Sequence, residues 1–182
     1  MNTFFKMAVI AGLMASAGSA MAVDGGNIHL RAVVTADSCS VTNDTRDQVV
    51  DMGTFATASF TGAGSESGRT PFHIKLQDCP ASTTSVGFTL EDGTVGQADA
   101  NDANLIALDT TSEAAGVGVS VYDATSGGTV IKPGAAATAT YAVDATAHTA
   151  DIALSASLKQ DSATAVTAGD FTAVTGFSVV YN

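Results

Sequence analysis

Short runs in which every second residue is apolar recur along this chain, as Ile28, Leu30, Ala32 and Val34; Phe72, Ile74 and Leu76; Val86, Phe88 and Leu90; and Val117, Val119 and Val121. Side chains of an extended strand point alternately to two faces, so each run presents one apolar face that must be covered. Ala139 to Val143, Ile152 to Leu158 and Phe177 to Tyr181 are further candidates, the last alternating as Phe177, Val179 and Tyr181. Turn chemistry separates the runs: Asp24-Gly25-Gly26, Thr61-Gly62-Ala63-Gly64, Glu91-Asp92-Gly93, Ser126-Gly127-Gly128 and Lys132-Pro133-Gly134. Helical periodicity is nearly absent. The Ala-rich piece Gly134 to Ala139 reads as a loop entering a strand, because Pro133-Gly134 and the neighbouring threonines oppose a helix. Asp99 to Asn104 reads as a turn. Many short strands at this spacing predict an all-β fold, an antiparallel sandwich for which Ig-like topology is the commonest solution.

The first 22 residues carry one basic residue, Lys6, then the apolar run Met7 to Ala15, then small residues ending in Ala20-Met21-Ala22. That is the pattern of a secretory signal peptide cleaved after Ala22. The run is well short of the roughly 20 residues that span a bilayer, so no membrane insertion is expected. Residues 23–182 then form one exported domain with a real core.

Charged residues make up 14% of the chain and the formal net charge is −11. An acidic chain with no Lys/Arg cluster repels a phosphate backbone and an anionic lipid surface alike, so nucleic acid is not an expected partner. The two cysteines, Cys39 and Cys79, lie in a chain expected to reach an oxidising compartment. One intrachain disulfide is the default there, and a metal pair is the weaker reading.

Catalytic and cofactor readings find little support, and no enzyme, cofactor or metal is expected. His29, His73 and His148 lie far apart on different predicted elements, without the spacing of a zinc site. Gly64-Ser65-Glu66-Ser67-Gly68 is a polar loop, and Gly-x-Ser-x-Gly does not occur. Asp99-Ala100-Asn101 opens like a calcium loop but has Ala103 at the fifth position, Asn104 at the sixth and Thr110 at the last. With no Trp and few aromatics, a sugar-stacking platform is not expected.

Several segments, taken in order, resemble the major subunits of type 1 fimbriae assembled by the chaperone–usher pathway. They are Asp24-Gly25-Gly26-Asn27-Ile28-His29-Leu30 leading through Val33-Val34 to Cys39; Val50-Asp51-Met52-Gly53-Thr54-Phe55; Phe72 to Cys79; Gly118 to Asp123; and the penultimate Tyr181. The resemblance implies an incomplete Ig-like sandwich, residues 38–182, lacking its last strand, preceded by a donor-strand extension, residues 23–37. The apolar groove would be filled first by a periplasmic chaperone and then by the extension of another copy, with an outer-membrane usher as the third partner and the cell-surface fimbria as destination. Gly26, Ile28, Leu30, Ala32 and Val34 would be the donor face, and Phe177, Val179 and Tyr181 the strand at the groove's edge. Ala32 stands where the family usually has Gly. A minor adaptor subunit, or a self-contained secreted β-sandwich binding module, is the alternative expectation.

Overall fold

The fold is described from a computed structural model, covering residues 31–32, 38–124, 128–162 and 164–181. The chain divides into two units, Met1–Thr35 and Ala36–Asn182. Of the first, only Arg31 and Ala32 are described, both exposed and outside any strand. Among the described residues the second unit carries eight strands, arranged in two antiparallel sheets.

The strands are β1 (Ser40–Val41), β2 (Thr70–Gln77), β3 (Ser85–Leu90), β4 (Val117–Asp123), β5 (Thr129–Ile131), β6 (Thr140–Ala142), β7 (Ala150–Gln160) and β8 (Phe177–Tyr181). A one-turn helix, α1 (Asn43–Arg46), follows β1. One sheet has the order β1-β2-β7-β4-β5 and the other β6-β3-β8. Alternation forecast all the strands except β1 and β5. Those two have only two and three residues; β6 is as short as β5, but lies inside the longer run Ala139 to Val143.

The inward faces interdigitate into one core: Ile74 and Leu76 from β2, Val86, Phe88 and Leu90 from β3, Val117, Val119 and Val121 from β4, and Ile152, Leu154 and Leu158 from β7. The Cys39–Cys79 disulfide forms, tying the residue before β1 to the chain just past β2. Tyr141 of β6 donates its hydroxyl to Asp123 Oδ1 of β4 at 3.0 Å, a polar clasp between the sheets. Burial, with the hydrogen bond and negative charge of Asp123, pushes the Tyr141 phenol well above its ordinary value and keeps it a donor.

In β4 the alternation understates the burial, since all seven residues are buried. The 97–107 segment runs beside β4, with Ile106 exchanging backbone hydrogen bonds with Val119 at 2.7 and 2.9 Å, and its Leu105 lies against the outer face at Gly118. Gly118 permits this approach: a Cβ there would sit 2.9 Å from Leu105 Cβ and 3.1 Å from the Ile106 oxygen. Farther along the same face, the Arg69 guanidinium stacks 3.6 Å above the Tyr122 ring.

Candidate functional site

Among the described residues the inward side chains of the second sheet are unevenly buried, and the less buried ones lie along β8. β3 pairs with β8 in the register Val86↔Tyr181, Phe88↔Val179 and Leu90↔Phe177. Residues directly opposite in a ladder point to the same face, so Phe177, Val179 and Tyr181 all look inward beside Val86, Phe88 and Leu90. Their burial nevertheless differs. The β3 residues are 0%, 3% and 4% exposed, whereas Phe177 and Val179 are half-buried and Tyr181 is 39% exposed. Being on an edge strand does not account for this, because Tyr141 on the opposite edge of the same sheet is 4% exposed.

Along its far side β8 has no ladder partner among the described residues. An unpaired edge presents a row of N–H and C=O groups, and here that row borders apolar side chains. Phe177 stacks on Phe88 with ring centroids 5.5 Å apart, which fixes it toward the core rather than toward solvent. At the other end of β8, the Tyr181 hydroxyl donates to the Cys39 carbonyl at 3.0 Å, linking this strand to the start of the other sheet. Val41, Met52, Phe55, Phe171 and Ala173 are likewise only half-buried against the core. Val49 to Ala56 lies in no strand. An unpaired edge with apolar side chains beside it can in general accept a further extended segment.

The sequence brings Cys39, Cys79, Phe177, Val179 and Tyr181 together at or next to this seam. Of the expected donor face, Gly26, Ile28, Leu30 and Val34 lie outside the described residues. Of the half-buried apolar residues, Val41, Met52, Phe55, Phe171 and Ala173 were not picked out by alternation. Met52 and Phe55 sit in an irregular segment, and Phe171 and Ala173 in another before β8, so period two has no hold on them. Asp51-Met52-Gly53-Thr54-Phe55 was legible only through the family resemblance.

The histidines stay apart. His73 Nδ1 pairs with Asp151 at 2.8 Å on the exposed side of β2 and β7, while His148 Nδ1 donates to the Cys79 carbonyl at 2.9 Å. Among the described residues no three His, Cys, Asp or Glu side chains converge as metal ligands. In the Asp99 to Asn104 turn the carboxyls are engaged by the loop itself. Asp99 accepts the N–H groups of Asn101 and Asp102, and Asp102 accepts Asn104 and Lys159. No helix among the described residues is long and apolar enough to cross a membrane.

Residues 28–182 match the family model described as Fimbrial protein. The chain is 39% identical over 137 residues to the uncharacterized fimbrial-like protein SfmA of Escherichia coli strain K12, covering 71% of this chain and 72% of that one. To the type-1 fimbrial protein A chain of Salmonella typhi it is 38% identical over 130 residues, covering 64% of this chain and 67% of the other. Among solved structures, the P pilus rod subunit PapA superimposes with a TM-score of 0.65 at 20% identity, covering 80% of this chain and 100% of PapA. That likeness concerns the fold.

Proposed function

This chain belongs to the fimbrial protein family, and on that premise we propose that it is a structural subunit of a bacterial surface fimbria which polymerises by lending its N-terminal strand to another copy. The observation that carries the reading is the contrast across the β3–β8 ladder, where inward residues on β3 are sealed and their neighbours on β8 are not. One added strand on the free edge of β8 would complete its hydrogen bonding and cover Phe177, Val179 and Tyr181.

The extension at residues 23–37 supplies a strand of the right chemistry. Placed in an extended strand, Gly26, Ile28, Leu30, Ala32 and Val34 would share one side. At roughly 1.5–3 kcal/mol for each large apolar side chain buried, Ile28, Leu30 and Val34 offer several kcal/mol before ordering costs. Before assembly the same edge would be held by a periplasmic chaperone, and the usher would exchange one strand for the other. The subunit is thereby exported, after removal of residues 1–22, to the cell surface, where it supports adhesion. The work is structural, and no catalytic role is assigned.

Strand transplantation tests this. A body lacking Val23 to Thr35 is compared with the same body carrying a copy of Asp24 to Ala36 behind Asn182 on a short flexible linker. Tethering supplies an effective concentration in the millimolar range, so the seam fills in cis and a stable monomer results. Leu30→Asp in the moved copy buries a carboxylate without a partner and undoes the gain. Equal melting temperatures for all three proteins would mean that the domain is complete by itself.

A further inference from the structure

Five large hydrophobic residues are exposed among the described residues: Val49, Val95, Val174, Val180 and Tyr181. Val180 and Tyr181 belong to β8 itself. Val95 and Val174, 50% and 56% exposed, do not. They flank a tight contact in which a Cβ on Gly96 would lie 2.4 Å from Thr175 Oγ1, so the loop after β3 and the segment before β8 are pressed together. Both valines therefore sit at one pole of the sandwich, where β3 ends at Leu90 and β8 begins at Phe177.

The opposite pole is marked by Cys39, whose carbonyl takes the Tyr181 hydroxyl at the far end of β8. Each copy's extension leaves its body there, at Cys39. On the strand-donation reading, an open-ended head-to-tail fibre is favoured when the root of that extension lies at the other pole of the accepting copy. If it lay at the same pole, two copies would face each other alike and could close as a dimer. In that arrangement the donated strand would run antiparallel to β8, with its Val34 end toward Phe177. From Val34 to Cys39 a fully extended chain reaches at most about 18 Å. The Cys39 pole of the donating copy is thus held close over the pole of the accepting copy that bears Val95 and Val174.

We propose that Val95 and Val174 form a second, non-strand contact between consecutive copies, seated on the turn of the next copy that carries Pro80 and Ala81. That turn joins β2 to β3 beside Cys79, closed by the Thr83 N–H on the Pro80 carbonyl at 3.0 Å, and Ala81 is exposed. It offers a small apolar surface at the pole the short tether brings near. The contact rests on the strand-donation reading. It adds to it a site that limits bending and rotation at each junction, which a single inserted strand on a short tether would leave free.

The test uses fibres of the full chain carrying Val174→Cys and Ala81→Cys together, oxidised and run without reductant under conditions that dissociate unmodified fibres. A covalent ladder, missing from fibres with either cysteine alone, is expected. Intact fibres without the ladder overturn the contact while leaving strand donation standing. Absence of fibres from the unmodified chain refutes both. As a second measurement, Val95→Asp/Val174→Asp fibres should fall apart at a temperature several degrees below unmodified fibres, while the same substitutions in the cis-completed monomer leave its melting temperature unchanged. Equal shifts in both, or no shift in the fibres, overturn the proposal.

Discussion

Removing the disulfide with Cys39→Ala/Cys79→Ala should weaken the body by a calculable amount. The bridge closes a loop of 40 residues. In the chain-entropy account, freeing such a loop stabilises the unfolded state by about 4 kcal/mol. Domains of this kind are worth about 5–15 kcal/mol in all, so the loss takes much of the margin and raises the unfolded fraction roughly a thousandfold. Alanine is preferable to serine because Cys39 and Cys79 are 6% and 3% exposed, and a hydroxyl there would be buried without a ready partner. Urea unfolding of the cis-completed monomer is the assay. The midpoint should fall and the slope rise slightly, since the unbridged chain unfolds to a more open ensemble. Fibre yield should fall with it, because the Cys39 carbonyl that receives Tyr181 loses its anchor. A loss below about 1 kcal/mol would refute the loop-entropy reasoning.

Gly118→Ala should destabilise by about 1–3 kcal/mol in the same titration, because the new methyl meets both Leu105 and the Ile106 backbone in a sealed layer; an unchanged midpoint would show that the 97–107 segment can move aside. Val179→Asp should abolish the polymer ladder on gels, by placing a carboxylate in the seam, whereas Val180→Asp on the outward face of the same strand should preserve it; equal ladders would count against the seam. Stability should be level from pH 7 down to about 5 and fall below about 4. For Asp102, burial raises the pKa but is outweighed by hydrogen bonds from Asn104 and Lys159 and the Lys159 charge; for Asp144, the Ala147 and Thr146 N–H groups dominate, and both carboxyls end below their ordinary value. A lowered folded pKa gives stability that is present above the unfolded value and lost on acidification, so a midpoint that rises between pH 5 and 3 would contradict these assignments.

Alternation and turn chemistry by themselves determined that this chain is an all-β sandwich, and which residues of β2, β3, β7 and β8 face inward. A strand's two-residue period follows from backbone geometry and needs no knowledge of neighbours. The cysteines were legible for a similar reason, since an exported chain with two of them has one simple pairing. Tertiary structure decided the rest. The burial of both faces of β4 depends on a loop from elsewhere in the chain reaching over Gly118. The clasp between Tyr141 and Asp123 joins strands from different sheets, and nothing local to either residue announces it. Above all, the sequence writes Val86, Phe88 and Leu90 in the same pattern as Phe177, Val179 and Tyr181, since alternation records which way a side chain points. Whether anything lies beyond the strand is a property of sheet order. Only the assembled fold leaves β8, among the described residues, with one ladder neighbour and half-exposed apolar side chains.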